Sequence, residues 1–306
     1  MTSPARAVVV GEALVDVVRT SSGDVSDHPG GSPLNVAYGL GRLAHEVSLL
    51  TRLGDDGHGR LLRAHLDAAG VELFPGTVDE YPTSVARADI DADGKASYDF
   101  DLVWSVPAVD LPADLELLHT GSIGAAVAPG AESVLALLRS VRGRATTSYD
   151  PNVRPAFFGD PARALALVES FVDAADVVKA SDEDLAWLLP GEDVVDVAHR
   201  WQQRGPALVV VTRGGEGAVA VAGAGTLQVA APPTRVVDTV GAGDAFMSGL
   251  LHALAVHDLL GAPALPRLRH LPLGTLESLV TTAVRSASLT CERAGANPPT
   301  RAELDD

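Results

Sequence analysis

The chain of 306 residues has a single cysteine, Cys291. An intrachain disulfide and a cysteine-based zinc site are therefore excluded, and the composition fits a reducing compartment. Lysine is almost as scarce. Lys95 and Lys179 stand alone, and arginine supplies the rest of the 23 basic residues. Neither lysine follows a glycine-rich run of the right spacing, so no Walker phosphate loop is present. Positive charge is short overall, with a formal net charge of −17 and a pI near 4.8. That balance disfavours nucleic acid and anionic membranes as general partners, while a local basic site can still take a nucleotide. No apolar run approaches the ~18 residues needed to span a bilayer. Gly11, Glu12 and Asp16 interrupt the N-terminal apolar stretch too early for a secretory leader. A cytoplasmic protein is the expectation. Hydrophobic residues make up 46% and mean hydropathy is +0.17, enough for a large core in one or two domains.

The densest chemical signal is Val237-Asp238-Thr239-Val240-Gly241-Ala242-Gly243-Asp244-Ala245-Phe246. Phe246, Leu250, Leu251 and Leu254 follow at helical spacing. The glycines thus open a helix, whose free N–H groups and positive dipole end suit a phosphate. Asp244 sits at the lip of that site. An acid there can accept the proton of a hydroxyl that attacks a bound phosphoryl group. An N-cap role explains an Asp at a helix start equally well, and the dipole is expected to keep the carboxylate ionised and weakly basic. A dinucleotide fingerprint is excluded because Phe246 stands where a third glycine would be.

Along the chain, Ala7–Val10, Val47–Leu50, Leu117–Gly121, Ala145–Tyr149, Val177–Val178, Leu208–Val211 and Ala218–Val221 read as short buried strands. Helices are expected at Ser32–Leu43, with Ser32 as cap and Pro33 in the first turn, at Leu61–Ala69, and near 130–142, 161–174, 182–189 and 194–204. Strand–helix alternation predicts an α/β fold: a doubly wound, mostly parallel sheet flanked by helices. Ligands of such sheets bind beyond the strands' carboxyl ends. Ser21–Pro29 reads as a polar loop and Leu259–Pro272 as a Pro/Leu-rich loop. Thr83–Asp101 differs, a β-ribbon with one wet face turning at Asp93-Gly94. The expected division is a core of residues 1–12, 30–83 and 102–306 with a small β-sheet lid of residues 13–29 and 84–101.

Two patterns occur together: Gly30-Gly31-Ser32-Pro33-Leu34-Asn35-Val36-Ala37 running on to Leu53-Gly54-Asp55-Asp56-Gly57-His58-Gly59, and Asp238-Thr239-Val240-Gly241-Ala242-Gly243-Asp244. In that order they resemble the ribokinase/PfkB family of carbohydrate kinases. The resemblance implies a ribokinase-like core, a β-lid and transfer of the ATP γ-phosphate to a sugar hydroxyl. It implies Asp244 as catalytic base and the N–H groups of Gly241, Ala242 and Gly243 as the anion hole. Asp16, Gly30, Gly31 and Asn35 resemble the family's sugar contacts. A carboxylate and an amide can bind vicinal hydroxyls, and glycine lets a ring approach the backbone. Asn35 as a first-turn helix residue and Gly31 as a turn glycine are the plainer alternatives.

Val211-Thr212-Arg213-Gly214-Gly215-Glu216-Gly217 resembles the family's nucleotide loop, with Thr212, Gly214 and Gly217 as contacts; alone it is a hairpin signal. Asn297 lies in a segment that resembles the adenine-side loop. Asp238 and the Val240 carbonyl match positions that hold a monovalent cation, expected to be K+. Lys179-Ala180-Ser181-Asp182-Glu183-Asp184 covers the family's Asn-x-x-Glu motif for phosphate and Mg2+, with Ser181 and Asp184 in place of Asn and Glu. Asp184 or Glu183 is then the acid for Mg2+, while the same run reads as a capped helix start.

Gly11-Glu12-Ala13-Leu14-Val15-Asp16 and Tyr149-Asp150-Pro151-Asn152-Val153-Arg154-Pro155 resemble the fructokinase branch. Arg154 can bind a phosphate or carboxylate bidentately. Its pattern also occurs in 2-keto-3-deoxygluconate kinases, which stay open as an alternative beside other furanose and nucleoside kinases. The lid offers Arg87, Tyr98, Phe100 and Asp101 toward the sugar, and lid–core packing accounts equally for the two aromatics. The expectation is D-fructose phosphorylated at its 6-hydroxyl with ATP and Mg2+, in a homodimer paired through the lids. A non-catalytic sugar sensor is the rival from another class.

Overall fold

The computed structural model describes residues 4–91 and 96–306, with 96–98 described by backbone alone. In chain order the elements are β1 (Arg6–Val10), β2 (Leu14–Arg19), β3 (Val25–Gly30), α1 (Ser32–Arg42), β4 (Glu46–Leu50), β5 (Leu53–Gly54), α2 (Gly57–Asp67), β6 (Glu72–Leu73), β7 (Val78–Asp79), β8 (Val85–Ile90) and β9 (Ala96–Asp101). There follow β10 (Leu117–Gly121), α3 (Gly130–Ser140), β11 (Thr146–Asp150), α4 (Pro155–Phe158), α5 (Pro161–Val172), β12 (Val177–Ser181), α6 (Asp182–Leu188), α7 (Val194–Arg204), β13 (Leu208–Thr212), β14 (Ala218–Ala222) and β15 (Gly225–Val229). The chain closes with α8 (Ala242–Val256), α9 (Leu265–Leu268), α10 (Leu273–Cys291) and α11 (Arg301–Asp305).

Among the described residues nine strands form one sheet in the order β15-β14-β13-β12-β11-β10-β1-β4-β6. Pairing is parallel from β6 to β13, and β14 and β15 turn back antiparallel at the edge. The central strands are buried on both faces, and β1, β13 and β14 are almost wholly apolar, as a sheet covered on both sides requires. In β1, Ala7 and Val9 enter one core cluster with Leu40 of α1, Leu250 of α8 and Leu279 of α10. Val8 and Val10 enter the other with Leu138 of α3, Phe171 of α5 and Trp201 of α7. The sheet is thus wound on both sides.

A second sheet stands apart, in the order β3-β2-β8-β9. Its root packs on the core through Leu14, Ala86 and Ile123, with Phe157 alongside. The Gly54–Gly59 segment ties it to α2. Asp56 caps α2 through the Gly59 N–H and also accepts from the Thr83 N–H (2.8 Å) and hydroxyl (2.8 Å), just ahead of β8. His58 of α2 reaches Asp27 of β3 at 3.3 Å.

Helix α8 is the centre of one face, buried from Asp244 to Ala255. It lies unusually close to both neighbours. A Cβ at Gly39 of α1 would stand 2.4 Å from the Ser248 hydroxyl oxygen, and one at Gly249 would stand 2.7 Å from the Ser286 Cβ on α10.

Several local expectations need correction. Residues 25–30 form β3, not a loop, because their backbone pairs with β2 despite a polar, Pro-containing sequence. Helix α2 begins at Gly57, since Asp56 caps it. Ser32 does not cap α1: Gly31 is the N-cap residue and the Ser32 hydroxyl points elsewhere. The 259–272 loop contains a 3-10 turn at Ala262–Ala264 and helix α9. Strand β15 and helix α10 were not foreseen, although Leu276, Leu279, Val280, Ala283 and Val284 form a helical stripe. The Asp93-Gly94 turn lies outside the described residues. Among those described, no helix is long and apolar enough to cross a membrane.

The α1–α8 contact predicts an asymmetry between two glycines. Gly39→Leu should lower stability by about 1–3 kcal/mol through overpacking. Gly274→Ala, where nothing lies within 4 Å, should be neutral or slightly stabilising. Thermal unfolding of both variants checks this, and equal midpoints would contradict the close approach.

Candidate active site

Two helix N-termini meet above the carboxyl ends of β1, β11 and β12. Gly241, the N-cap residue of α8, is left-handed at φ 75°, and a Cβ there would stand 2.6 Å from the Ala296 Cβ. Only glycine fits both demands. The N–H groups of Ala242, Gly243 and Asp244 head the helix and have no carbonyl one turn earlier within it to accept them; that of Ala242 closes the turn onto the Thr239 carbonyl at 3.2 Å.

Asp244 is the third residue of α8, and its carboxylate does not cap its own helix. It crosses to α1. The Ser32 hydroxyl donates to Oδ1 at 2.6 Å and the Asn35 amide to Oδ2 at 2.8 Å. Burial pushes the Asp244 carboxyl above its ordinary value, opposed by those two hydrogen bonds and by the charges of Lys179 and Arg154. The expected weakening of this base by the helix dipole is therefore corrected: removal from water dominates.

Beneath α8 lies a buried cation. The Lys179 ammonium donates to Asp150 Oδ2 at 2.8 Å, both side chains being almost fully buried. A Cβ at Gly243 would come within 3.1 Å of Lys179 Nζ, so the ammonium faces the head of the helix. Burial pulls the lysine down, but Asp150, Asp184 and Asp244 outweigh it and hold the proton on. Burial also pushes the Asp150 carboxyl up. With three acids around one ammonium, we read the pair as ionised.

Other predicted residues lie on the rim. Asp16 is half-buried on β2, opposite His28; burial raises its carboxyl, while His28 and Arg154 lower it. Gly30 leaves room for it, since a Cβ there would fall 2.2 Å from Asp16 Oδ2. Gly31 has φ 104°, and its Cβ would meet the Glu12 carbonyl at 2.6 Å. Arg154 is exposed ahead of α4 and acts electrostatically on both Asp16 and Asp244. Phe100 meets Phe157 of α4 edge-on at 4.8 Å, a contact between the small sheet and the core. Tyr98 belongs to β9, and its side chain lies outside the described residues.

Ser181 caps α6 and Asp184 completes a capping box. The Asp184 oxygens accept the N–H groups of Val153 (2.7 Å) and Ser181 (2.8 Å), while Glu183 beside it is exposed. Asp238 accepts the N–H groups of Val240 (3.0 Å) and Gly295 (2.8 Å), tying the loop before α8 to the C-terminal loop. Val240 and Asn297 are exposed on those loops. Thr212 ends β13, half-buried, and Gly214 opens the 3-10 turn of the β13–β14 hairpin. Gly217 is required by the backbone, since its Cβ would collide with the Val229 carbonyl.

The arrangement is a buried acid, a set of main-chain donors and a buried ammonium at one point. The chain matches the pfkB family carbohydrate kinase profile over residues 4–303. It belongs to that family. A fructokinase from Rhizobium leguminosarum bv. trifolii is 35% identical over 262 residues, 82% of this kinase and 80% of that protein. A double-mutant fructokinase from Vibrio cholerae O395, in fructose, ADP and potassium ion bound form, superposes with a TM-score of 0.80 at 27% identity, covering 100% of this kinase and 98% of that chain. Aminoimidazole riboside kinase from Salmonella enterica, complexed with aminoimidazole riboside and an ATP analog, gives a TM-score of 0.77 at 25% identity and 98% coverage of both.

The residues of this kinase fit the groups such enzymes handle. The open N–H donors of α8 and the facing Lys179 ammonium suit a polyphosphate. Among the described residues no cluster of three or more His, Cys, Asp or Glu is arranged to hold a metal. Both Asp184 oxygens are taken by backbone N–H groups, so of the two acids the exposed Glu183 is the one placed to meet Mg2+ through water. Asp238 and the carbonyls near Val240 are the oxygen donors a monovalent cation takes.

Three buried groups of the kinase escaped the sequence reading: Ser32, Asp150 and Glu12. Each sits inside a quoted motif, but none is a residue type that announces a role. Glu12 follows β1 and is almost fully buried, accepting from the Gly124 N–H at 2.7 Å and the Ser32 N–H at 3.3 Å. Burial pushes its carboxyl up to about 7, against the opposing hydrogen bonds led by Gly124.

A raised carboxyl value means that the folded chain holds a proton that the unfolded chain loses near the ordinary 4.5. The Glu12 contribution to stability is then fully present below 4.5 and is lost as pH rises through about 7. Denaturant unfolding across that window should show the parent losing up to roughly 3 kcal/mol more than Glu12→Gln. Identical slopes would contradict the burial of this acid.

Proposed function

We propose that this kinase transfers the γ-phosphoryl group of ATP to the 6-hydroxyl of D-fructose. The observation that carries the reading is Asp244: a buried carboxylate held at the head of α8, beside Lys179 and within reach of the lid. Fructokinases among the relatives support the choice of sugar.

In this reading Asp16 and Asn35 bind sugar hydroxyls, and Gly30 and Gly31 let the ring approach the backbone. Arg154, Phe100 and Tyr98 line the lid side. Asp244 accepts the proton of the attacking hydroxyl through Oδ2, and burial makes it a better base than an exposed Asp. The N–H groups of Gly241 and Gly243 hold the phosphoryl oxygens as charge moves onto them, joined by that of Ala242 when it leaves the Thr239 carbonyl. Lys179 and the Ser181 corner lie toward the phosphates, while Thr212, Gly214, Gly217 and Asn297 line the nucleotide side. Mg2+ held through water by Glu183 would neutralise phosphate charge. K+ at Asp238 and Val240 would stiffen the loop ahead of α8. Closure of the β3-β2-β8-β9 sheet excludes water, which would otherwise take the phosphoryl group. A homodimer through that sheet and a cytoplasmic setting belong to the same reading.

Two other substrates have specific support. Arg154 suits the carboxylate of 2-keto-3-deoxygluconate, and the likeness to aminoimidazole riboside kinase favours a riboside. Against a sugar acid, Arg87 is already engaged by Asp99 at 3.6 Å and Asp101 at 3.9 Å.

ATP turnover should be fastest on fructose when it is compared with ribose, 2-keto-3-deoxygluconate and aminoimidazole riboside. Absence of turnover on fructose ends the first choice. Asp244→Asn should lower turnover about 10²–10⁴-fold while sugar binding, followed by calorimetry, persists. Equal activity in variant and parent would refute the role of Asp244 as the base, whereas sugar binding without turnover in the parent would leave the sugar sensor as the better account.

A further inference from the structure

Ser32 stands where a capping serine is expected, yet its hydroxyl makes no cap on α1. It donates instead across the helix pair to Asp244 Oδ1 at 2.6 Å, in a buried contact. Everything around it restricts its position. The preceding Gly31 packs on the Glu12 carbonyl, and the following Pro33 lies against Gly11, whose Cβ would fall 2.2 Å from Pro33 Cγ. The Ser32 N–H is taken by Glu12 Oε1, and Glu12 is anchored on its other side by the Gly124 N–H. The hydroxyl is thus a donor fixed to β1 and to the 3-10 turn after β10, aimed at one carboxylate oxygen.

The second donor to Asp244 is placed differently. Asn35 is half-buried one turn later in α1, and in the proposed reading it also meets the sugar. A side chain that binds both Asp244 and substrate exchanges partners when substrate enters. Ser32 is buried and has no such competitor. We propose that Ser32 is a positioning residue for phosphoryl transfer: its hydroxyl holds Asp244 Oδ1 so that Oδ2 faces the attacking hydroxyl, and Glu12 holds Ser32 in place. This rests on the reading of Asp244 as the base.

A donated hydrogen bond also favours the ionised carboxylate. The other charged groups facing Asp244 are Lys179 on β12 with its partner Asp150 on β11, and Arg154 ahead of α4; Glu12 lies behind Ser32. None of these is altered by changing the hydroxyl. Removing it leaves burial less opposed, so Asp244 gains a proton at higher pH.

The experiment is kinetics of Ser32→Ala and Ser32→Thr, alone and combined with Asp244→Asn, with folding followed by thermal unfolding. Ser32→Ala should lower kcat about 10- to 100-fold, leave KM for ATP unchanged, and move the acid limb of the kcat profile up by about one pH unit. Ser32→Thr keeps the hydroxyl and should restore most of kcat and the parent limb. In the Asp244→Asn background, Ser32→Ala should change the residual rate little, because the group it serves is gone. The proposal is overturned if Ser32→Ala has the parent kcat and limb, or if it lowers the residual rate of Asp244→Asn by its full factor, which marks a packing role. An active Asp244→Asn would instead remove the base itself, a separate failure.

Discussion

The structure depends on one carboxylate being held out of water between two helices that come from opposite ends of the chain. Asp244 enters from the head of α8, and its donors Ser32 and Asn35 come from the head of α1. That meeting requires the helices to run almost in contact. Gly39 against Ser248 permits it on one side of α8, and Gly249 against Ser286 permits the equally close approach of α10 on the other. Small residues here are a condition of the site, since each added methylene would move the acid away from its donors.

Burial strengthens the base and creates an electrostatic problem at the same point. Asp244, Asp150 and Asp184 converge near the carboxyl ends of β11 and β12, and a single ammonium, Lys179, lies among them. Asp150 takes the ammonium directly, whereas Asp184 is satisfied by two backbone N–H groups. The charges are therefore accounted for before any ligand arrives, and the ammonium still faces the helix head where an anion would bind. Lysine scarcity elsewhere in the chain makes this one conspicuous: its long apolar stem rises from the interior strand β12 and delivers charge to a buried point.

The small sheet attaches to this centre by few contacts. Asp56 clamps the strand ahead of β8, His58 touches β3, and Phe100 rests on Phe157. The Gly54–Gly59 motif is thus a joint between two sheets, a role its glycines and acids did not reveal in one dimension.

Much was legible from residue order alone. Short apolar runs and period-3.6 stripes marked the strands and helices of the parallel core, because burial on both faces of a strand removes alternation. The pairing of Gly-Gly-x-x-x-Asn with Gly-Ala-Gly-Asp identified the family because close backbone approach and helix heads demand those residues at those spacings. Strand β3 was hidden because its polar, Pro-containing sequence is held by backbone pairing, whereas the Leu/Val stripe of α10 was there to be read at helical spacing. What residue order could not reach was which side chains meet across sequence distance. Ser32 reads as a helix cap, Glu12 as a polar break after a strand and Asp150 as a strand end. Each takes its meaning from a neighbour over a hundred positions away or on another strand, since hydrogen-bond partners in a wound sheet are selected by how helices pack and not by the local chain.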